Sequence, residues 1–307
     1  MTPQASSYAT PAAFRRALTD RLANLAASSR WTLQQLQRQI AYDRLLERLY
    51  VIDDAWIVKG ATALLARDIG VRATIDVDIY RNVAREVAET DLRRAAALDL
   101  SDWFTFAVRA PTAVSDGTIG SRLPVVASIG TTRWASFHVD LVGTETVMIG
   151  EPDHVPALAR VTMPEVSQRG YRAYPLVDHI ADKVAAMHER HGLHARPSTR
   201  FKDLVDLVAI ISKVSVPAES QSRALHSEFA RRGIDLPTRI EVPDRALWRR
   251  GYPSEAARSL LGTASDLDSA LEVIRPFCDP LFAGTAAGLW APRDAKWSEE
   301  TLDGAFQ

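Results

Sequence analysis

Apolar positions recur at helical spacing through residues 11–28 and again over 31–51, where Leu33, Leu36, Ile40, Leu45, Leu46 and Leu49 form an approximate stripe. These segments predict two N-terminal helices behind a short disordered lead. The period then changes. Residues 56–58 are a short apolar run expected to be a strand, 61–69 a helix, and 73–80 a strand in which Ile75, Val77 and Ile79 alternate with Asp76 and Asp78. Residues 84–98 read as helix and 103–109 as strand. Two β-patterned runs, 123–129 and 134–142, flank Gly130-Thr131-Thr132 and predict a hairpin. Helices are expected over 175–190 and 199–212. After Ser215 the stretch VSVPAES reads as a linker, followed by a proline-punctuated region with helical pieces at 221–232, 254–261 and 267–274. The pattern predicts a mixed α/β (α+β) protein in three parts: N-terminal helices over 1–50 packing on a core over 51–215, and a helical C-terminal domain over 216–307.

Alternation along a strand sends Asp76 and Asp78 to one face, and their apolar neighbours to the other. Two carboxylates held side by side repel each other unless a cation lies between them. An all-oxygen site of this kind suits Mg²⁺, with Mn²⁺ as an alternative, because such ions keep waters and also bind substrate phosphates. Upstream, Lys59-Gly60-Ala61-Thr62 joins the first short strand to a helix. A glycine in that turn lets a phosphate approach the backbone N–H groups at the helix start. A D-x-D pair alone is most often two solvated acids on a strand edge. Joined to a strand, a glycine turn and a helix in this order, it points to nucleotidyl transfer from a nucleoside triphosphate.

These residues resemble the DNA polymerase β-type nucleotidyltransferase superfamily and, more closely, the AbiEii-type (MenT-like) nucleotidyltransferase toxins of bacterial toxin–antitoxin pairs. That family's Lys-Gly-Gly turn, helix and Arg-x-Ser-x-Asp-x-Asp run are matched by Lys59, Gly60, Arg72, Thr74, Asp76 and Asp78. Ala61 stands where a second glycine or a serine is usual, and Thr74 replaces a serine while keeping its hydroxyl. Downstream, HIADKVAAM supplies Lys183, and FKDLVDLVAII supplies Asp203 and Asp206 with Lys202 in place of an arginine. The match in order and spacing runs over roughly residues 50–215. It implies a nucleotidyltransferase core sheet with Asp76, Asp78 and a third carboxylate from a later strand, Asp140 in FHVDLV, as metal ligands. It further implies that Asp140 acts as the base, that Lys59, Gly60, Ala61, Thr62, Arg72, Thr74 and Asp206 serve the nucleotide, that Lys183 holds the triphosphate, and that Asp203 fixes Lys183 or the nucleotide. By the same resemblance the acceptor is the 3′ end of tRNA, translation is blocked, and an antitoxin is the cognate partner. A protein hydroxyl as acceptor, or a non-catalytic module binding nucleotide or RNA, remains open from the residues alone.

Composition adjusts this picture only locally. The 307 residues carry 37 Lys and Arg against 38 Asp and Glu, a net charge of −1, so any nucleic-acid surface must be a patch. The densest basic stretch interleaves Arg231, Arg232, Arg239, Arg245, Arg249 and Arg250 with Trp248 and Tyr252. It reads either as a solvated face or as a platform for phosphates and unpaired bases. One cysteine, Cys278, excludes an internal disulfide and fits a reducing cytoplasm. No apolar run approaches the roughly 18 residues of a membrane span. His188, His191 and His194 straddle a glycine and are expected to be a polar loop rather than a zinc site. The chain is expected to be a monomer.

Overall fold

The computed structural model describes residues 8–70, 72–111, 120–142, 147–163 and 166–298; the expected N-terminal lead lies largely outside them. The chain divides into two compact units. The first is built from the described parts of Met1–Arg67, Ala73–Thr146 and Asp153–Ala173, and the second from those of Asp68–Arg72, Val147–Pro152 and Tyr174–Gln307.

The first unit holds α1 (Pro11–Ala27), α2 (Leu33–Ile52), β1 (Ile57–Val58), α3 (Gly60–Ala66), β2 (Asp76–Tyr80), α4 (Arg85–Ala96), β3 (Phe104–Val108), β4 (Gly120–Ile129), β5 (Thr132–Val142), β6 (Asp153–Val155) and β7 (Tyr171–Ala173). Local chemistry sets the helix starts. Thr10 accepts from the Ala13 N–H with Pro11 next in line, and Thr32 with Gln35 closes a capping box on α2. The seven strands form one mixed sheet in the order β3-β4-β5-β2-β1-β7-β6. β2 runs parallel to β5 and β1 parallel to β7, while the other pairs are antiparallel. The hairpin between β4 and β5 turns at Gly130, whose φ of +59° is one that L side chains rarely adopt. Val77, Ile79, Val139 and Leu141 are buried in one core with Phe14, Leu18 and the α2 leucines.

α2 is buried on more than its apolar stripe. Arg44 and Arg48 clamp Asp102 at 2.6 and 2.7 Å with all three side chains essentially inaccessible, and Asp43 accepts from the Leu158 and Ala159 N–H groups at 3.0 Å. These charged residues satisfy each other and the loop backbones inside the unit.

The second unit holds α5 (Leu176–His188), β8 (Arg190–His191), β9 (Arg196–Pro197), α6 (Phe201–Ile211), α7 (Ala218–Arg232), α8 (Arg245–Ala257), α9 (Leu267–Phe282), β10 (Leu289–Ala291) and β11 (Lys296–Ser298). It is mostly helical, and its main segment begins at Tyr174. α8 and α9 run through Pro253, Pro276 and Pro280, where the proline count had suggested shorter pieces. Each proline removes one helical N–H, but Trp248, Tyr252, Phe277, Cys278 and Leu281 are buried along these helices and keep them packed. Cys278 is a buried thiol whose pKa burial pushes up, as a structural cysteine requires.

Candidate active site

Strand register gathers the acids. Asp78 on β2 lies opposite Asp140 on β5, and Asp140 lies opposite Arg122 on β4; one step along, Asp76 lies opposite His138. Residues in register on neighbouring strands share a face, so Asp76, Asp78, Asp140, His138 and Arg122 line one side of the sheet. Val77, Val139 and Leu141 fill the other. Ile75, expected in the core, is 54% exposed because the strand begins only at Asp76.

The turn before α3 has a specific job. Gly60 has φ +58°, and a Cβ there would lie 1.8 Å from the Asp78 Oδ2 atom. The absent side chain therefore makes room for the Asp78 carboxylate, and the Lys59 N–H donates to the Asp78 carbonyl at 2.8 Å to lock turn and strand together. Thr62 and Thr74 also brace the strand: both hydroxyls donate to the Asp76 carbonyl, at 3.2 and 3.0 Å, and Asp76 N–H donates to Thr74 Oγ1 at 3.2 Å. Ala61 is buried in α3. Gly60→Ala should displace Asp78 and reduce nucleotide incorporation at least about tenfold, since it adds both backbone strain and a direct clash. Retention of full activity by a folded Gly60→Ala protein would contradict this packing.

Arg122 and His138 were not singled out by sequence. Arg122 bridges two acids, with Nη2 2.5 Å from Asp76 Oδ1 and Nη1 3.1 Å from Asp140 Oδ2, while His138 Nδ1 is 3.3 Å from Asp76 Oδ1. The pairing was hidden by a bulge between Ala127 and Ser128. Counted straight back from the turn, Ser121 would face Asp140; the bulge slips the register by one and brings Arg122 there instead. His138 carried a signal, since it stands two before Asp140 and so must share its face.

The donor set fits a divalent cation in part. Asp140 Oδ1 is buried with no hydrogen-bond partner among the described residues. Burial, then the charge of Asp78, with Asp76 adding and Arg122 opposing, pushes the Asp140 carboxyl up to about 6. Such a crowded, under-neutralised set is what a cation relieves. Among the described residues, though, no three His, Cys, Asp or Glu side chains are disposed to hold an ion by themselves. An ion on this face would complete its shell with water and phosphate oxygens, as Mg²⁺ usually does.

In the second unit the remaining expected residues form their own cluster. Lys183 on α5 is buried, its Nζ 2.8 Å from Asp203 Oδ1 and 2.7 Å from Asp206 Oδ2 on α6. Asp206 also takes a two-pronged contact from Arg72, at 3.0 and 2.9 Å, and Asp203 a 2.6 Å contact from Arg200. Charges thus alternate from Arg200 through Asp203, Lys183 and Asp206 to Arg72. Burial opposes charge on all three central groups, yet the partners win. Lys183 is held protonated, and Asp203 and Asp206 are held below the usual carboxylate range. Lys202 is exposed and outside this chain.

The basic stretch is packed at its aromatics and paired at most of its arginines, with Arg250 left exposed and without an ion pair among the described residues. Trp248 and Tyr252 are fully buried, hydrogen-bonded to the Ser198 and Ala264 carbonyls, and cannot stack on bases. Arg231 and Arg232 meet Glu228, while Arg245 and Arg249 share Asp268. His188 contacts the Val184 carbonyl through Nδ1 at 2.8 Å, and no metal-holding group forms around it among the described residues.

A strand, a glycine turn, a helix and a strand with two acids, joined by a third acid from a parallel neighbour, is the arrangement that the nucleotidyltransferase resemblance leads one to expect. A family model for the nucleotidyl transferase AbiEii toxin of type IV toxin–antitoxin systems matches residues 44–273, and the chain belongs to this family. It is a nucleotidyltransferase, and membership implies a nucleoside triphosphate as substrate, an antitoxin as partner and, as is usual for such enzymes, a divalent metal ion. Among solved structures it is similar to MenT4, a nucleotidyltransferase toxin from Mycobacterium tuberculosis H37Rv, at 15% identity over 87% of this chain and 98% of that one, with a TM-score of 0.49. It is also similar to JHP933 from Helicobacter pylori, at 14% identity over 62% and 78% of the two chains, with a TM-score of 0.38. Among curated proteins none matches. No helix among the described residues is long and apolar enough to cross a membrane.

Proposed function

We propose that this chain is a cytoplasmic, monomeric toxin that transfers nucleotides from a nucleoside triphosphate to the 3′ hydroxyl of tRNA, releasing pyrophosphate and blocking translation until its antitoxin intervenes. The observation that carries this reading is the shared face of Asp76, Asp78 and Asp140, with Asp78 and Asp140 in register on parallel strands. Bound there, Mg²⁺ or Mn²⁺ would offset charge on the triphosphate and polarise the phosphorus under attack. Asp76 and Asp78 are the proposed ligands. Gly60 keeps the Asp78 carboxylate against the turn, and Thr62 and Thr74 hold the Asp76 backbone.

Asp140 is the proposed third ligand and base, drawing the proton from the attacking hydroxyl. A carboxyl poised near 6 is deprotonated at neutral pH and more basic than an ordinary aspartate. Lys59 is the proposed phosphate-neutralising cation of this face; the phosphate role that the resemblance gives Lys183 is a separate proposal, with Asp203 and Asp206 holding Lys183 charged and Arg72 anchoring Asp206 within the second unit. Addition of nucleotides to a tRNA 3′ end would remove its competence for aminoacylation.

The pH dependence of the metal-free protein tests Asp140. Its folded pKa of about 6 exceeds the ordinary 3.8, so the folded state binds this proton more tightly than the unfolded chain. Its stability contribution is largest at acid pH and declines as pH rises from about 4 to about 6. Asp140→Asn should remove that decline and stabilise the protein at pH 7 by on the order of 1–2 kcal/mol, while cutting transfer about a hundredfold or more. Thermal melts across pH with parallel incorporation assays check both; an active Asp140→Asn enzyme contradicts the base.

The acceptor is tested by incubating the protein with each α-labelled triphosphate and total RNA. Label should enter tRNA and should not enter tRNA whose terminal diol has been oxidised with periodate. Label appearing only in protein would overturn the tRNA reading in favour of a protein hydroxyl.

A further inference from the structure

A cavity of about 390 Å³ in the first unit lies between α2 and β5 and is lined by Gln34, Gln37, Arg38, Arg133, Trp134 and Ser136. No carboxylate lines it. Arg133 is exposed and has no ion-pair partner among the described residues, in contrast to the acid-neutralised Arg231, Arg232, Arg245 and Arg249. The Ser136 hydroxyl is buried and unsatisfied among the described residues. Two guanidinium-bearing residues around one hollow, with no carboxylate among its lining, select an anion with several oxygens, as a phosphodiester presents. The side-chain amides of Gln34 and Gln37 add polar surface beside that phosphate, while Trp134, packed on Phe104 and donating to the Gln37 carbonyl at 2.7 Å, fixes the wall.

The cavity also adjoins the acid face. Ser136, His138 and Asp140 alternate without interruption along β5 and point the same way. Ser136 and Asp140 are four residues apart, roughly 13 Å along the strand, a span that a short single-stranded segment bridges. On the helix side, Arg38 acts on the Tyr42 hydroxyl, which also feels Asp76 and donates to the Thr74 carbonyl at 3.1 Å.

We infer that this Arg38–Arg133–Ser136 cavity is the seat of a backbone phosphate of the polynucleotide acceptor, upstream of the terminus presented to the acid face. The inference rests on the reading of RNA as acceptor. It assigns acceptor docking to the first unit, beside the chemistry, at a hollow whose two arginines have no ion-pair partner among the described residues.

The test uses the full chain and Arg133→Gln, alone and combined with Arg38→Gln; melting temperatures establish that each folds. Binding of unfractionated tRNA and of a short mixed-sequence single-stranded RNA is followed by fluorescence anisotropy over a series of salt concentrations. Binding of ATP and CTP is followed by calorimetry. The expected result is RNA affinity weakened roughly tenfold at low salt in the double variant, with a shallower dependence on salt because fewer counterions are released, and triphosphate affinity unchanged. Arg133→Gln should give part of the loss, which guards against disturbance of Tyr42 by the Arg38 change. Unchanged RNA affinity and salt slope in variants of a protein that binds RNA would overturn the cavity assignment alone. An equal loss of triphosphate binding would overturn it too, by assigning the cavity to the triphosphate. Failure of the unaltered protein to bind either RNA would instead overturn the RNA reading on which the assignment rests.

Discussion

Asp76→Ala should lose nucleotide incorporation by about a thousandfold, equivalent to ~4 kcal/mol of transition-state stabilisation, while the chain stays folded. Asp76 contributes one of the paired acids and also receives Arg122 and His138. When it is removed, Arg122 retains Asp140 at 3.1 Å, so no cation is stranded and the change in stability should stay within about 1 kcal/mol. Denaturation curves and incorporation assays on the same preparation separate the two effects. A folded Asp76→Ala protein that keeps most of its activity with Mg²⁺ present would sink the assignment of this face.

Lys183→Ala should act on both stability and activity. Two buried carboxylates lose the ammonium between them, and loss of one partner from a buried pair costs about 3 kcal/mol or more. Arg200 and Arg72 still reach Asp203 and Asp206 from the ends of the chain of charges, which tempers the loss. Activity per folded molecule should fall strongly as well, and Lys183→Arg should not fully restore it, because a planar guanidinium cannot reproduce a compact ammonium. Unchanged turnover per folded molecule would make Lys183 a structural residue only.

Much of this was legible in the sequence because it is local. Alternation in 76–80 and 134–142 marks which residues share a face, and the glycine turn announces the helix that follows it. What was not legible depends on tertiary register or burial. Arg122 reaches the acids only through the one-residue slip at the Ala127/Ser128 bulge. Gly60 suggested a phosphate approach, whereas the atom that needs its missing side chain is Asp78 Oδ2. Asp43, Arg44, Glu47 and Arg48 carry no signal in the apolar stripe, yet all four are buried, Arg44 and Arg48 on Asp102 and Asp43 on loop backbone. Trp248 and Tyr252 read either as anchors of a solvated face or as a stacking surface, because sequence gives spacing, not burial; in the fold they are core residues. The helical periods of 245–257 and 267–282 were obscured by prolines that packing overrides.

The most direct measurement is the fate of the triphosphate's own atoms. Parallel reactions carry label in the α- or the γ-phosphate, pyrophosphate is counted against nucleotide incorporated, and Asp76→Ala serves as the control. The site described here predicts that α-label enters the acceptor, that γ-label leaves as pyrophosphate in equal amount, and that both vanish in the control. Transfer of γ-label to the acceptor, or incorporation that persists without Asp76, would contradict nucleotidyl transfer at this face.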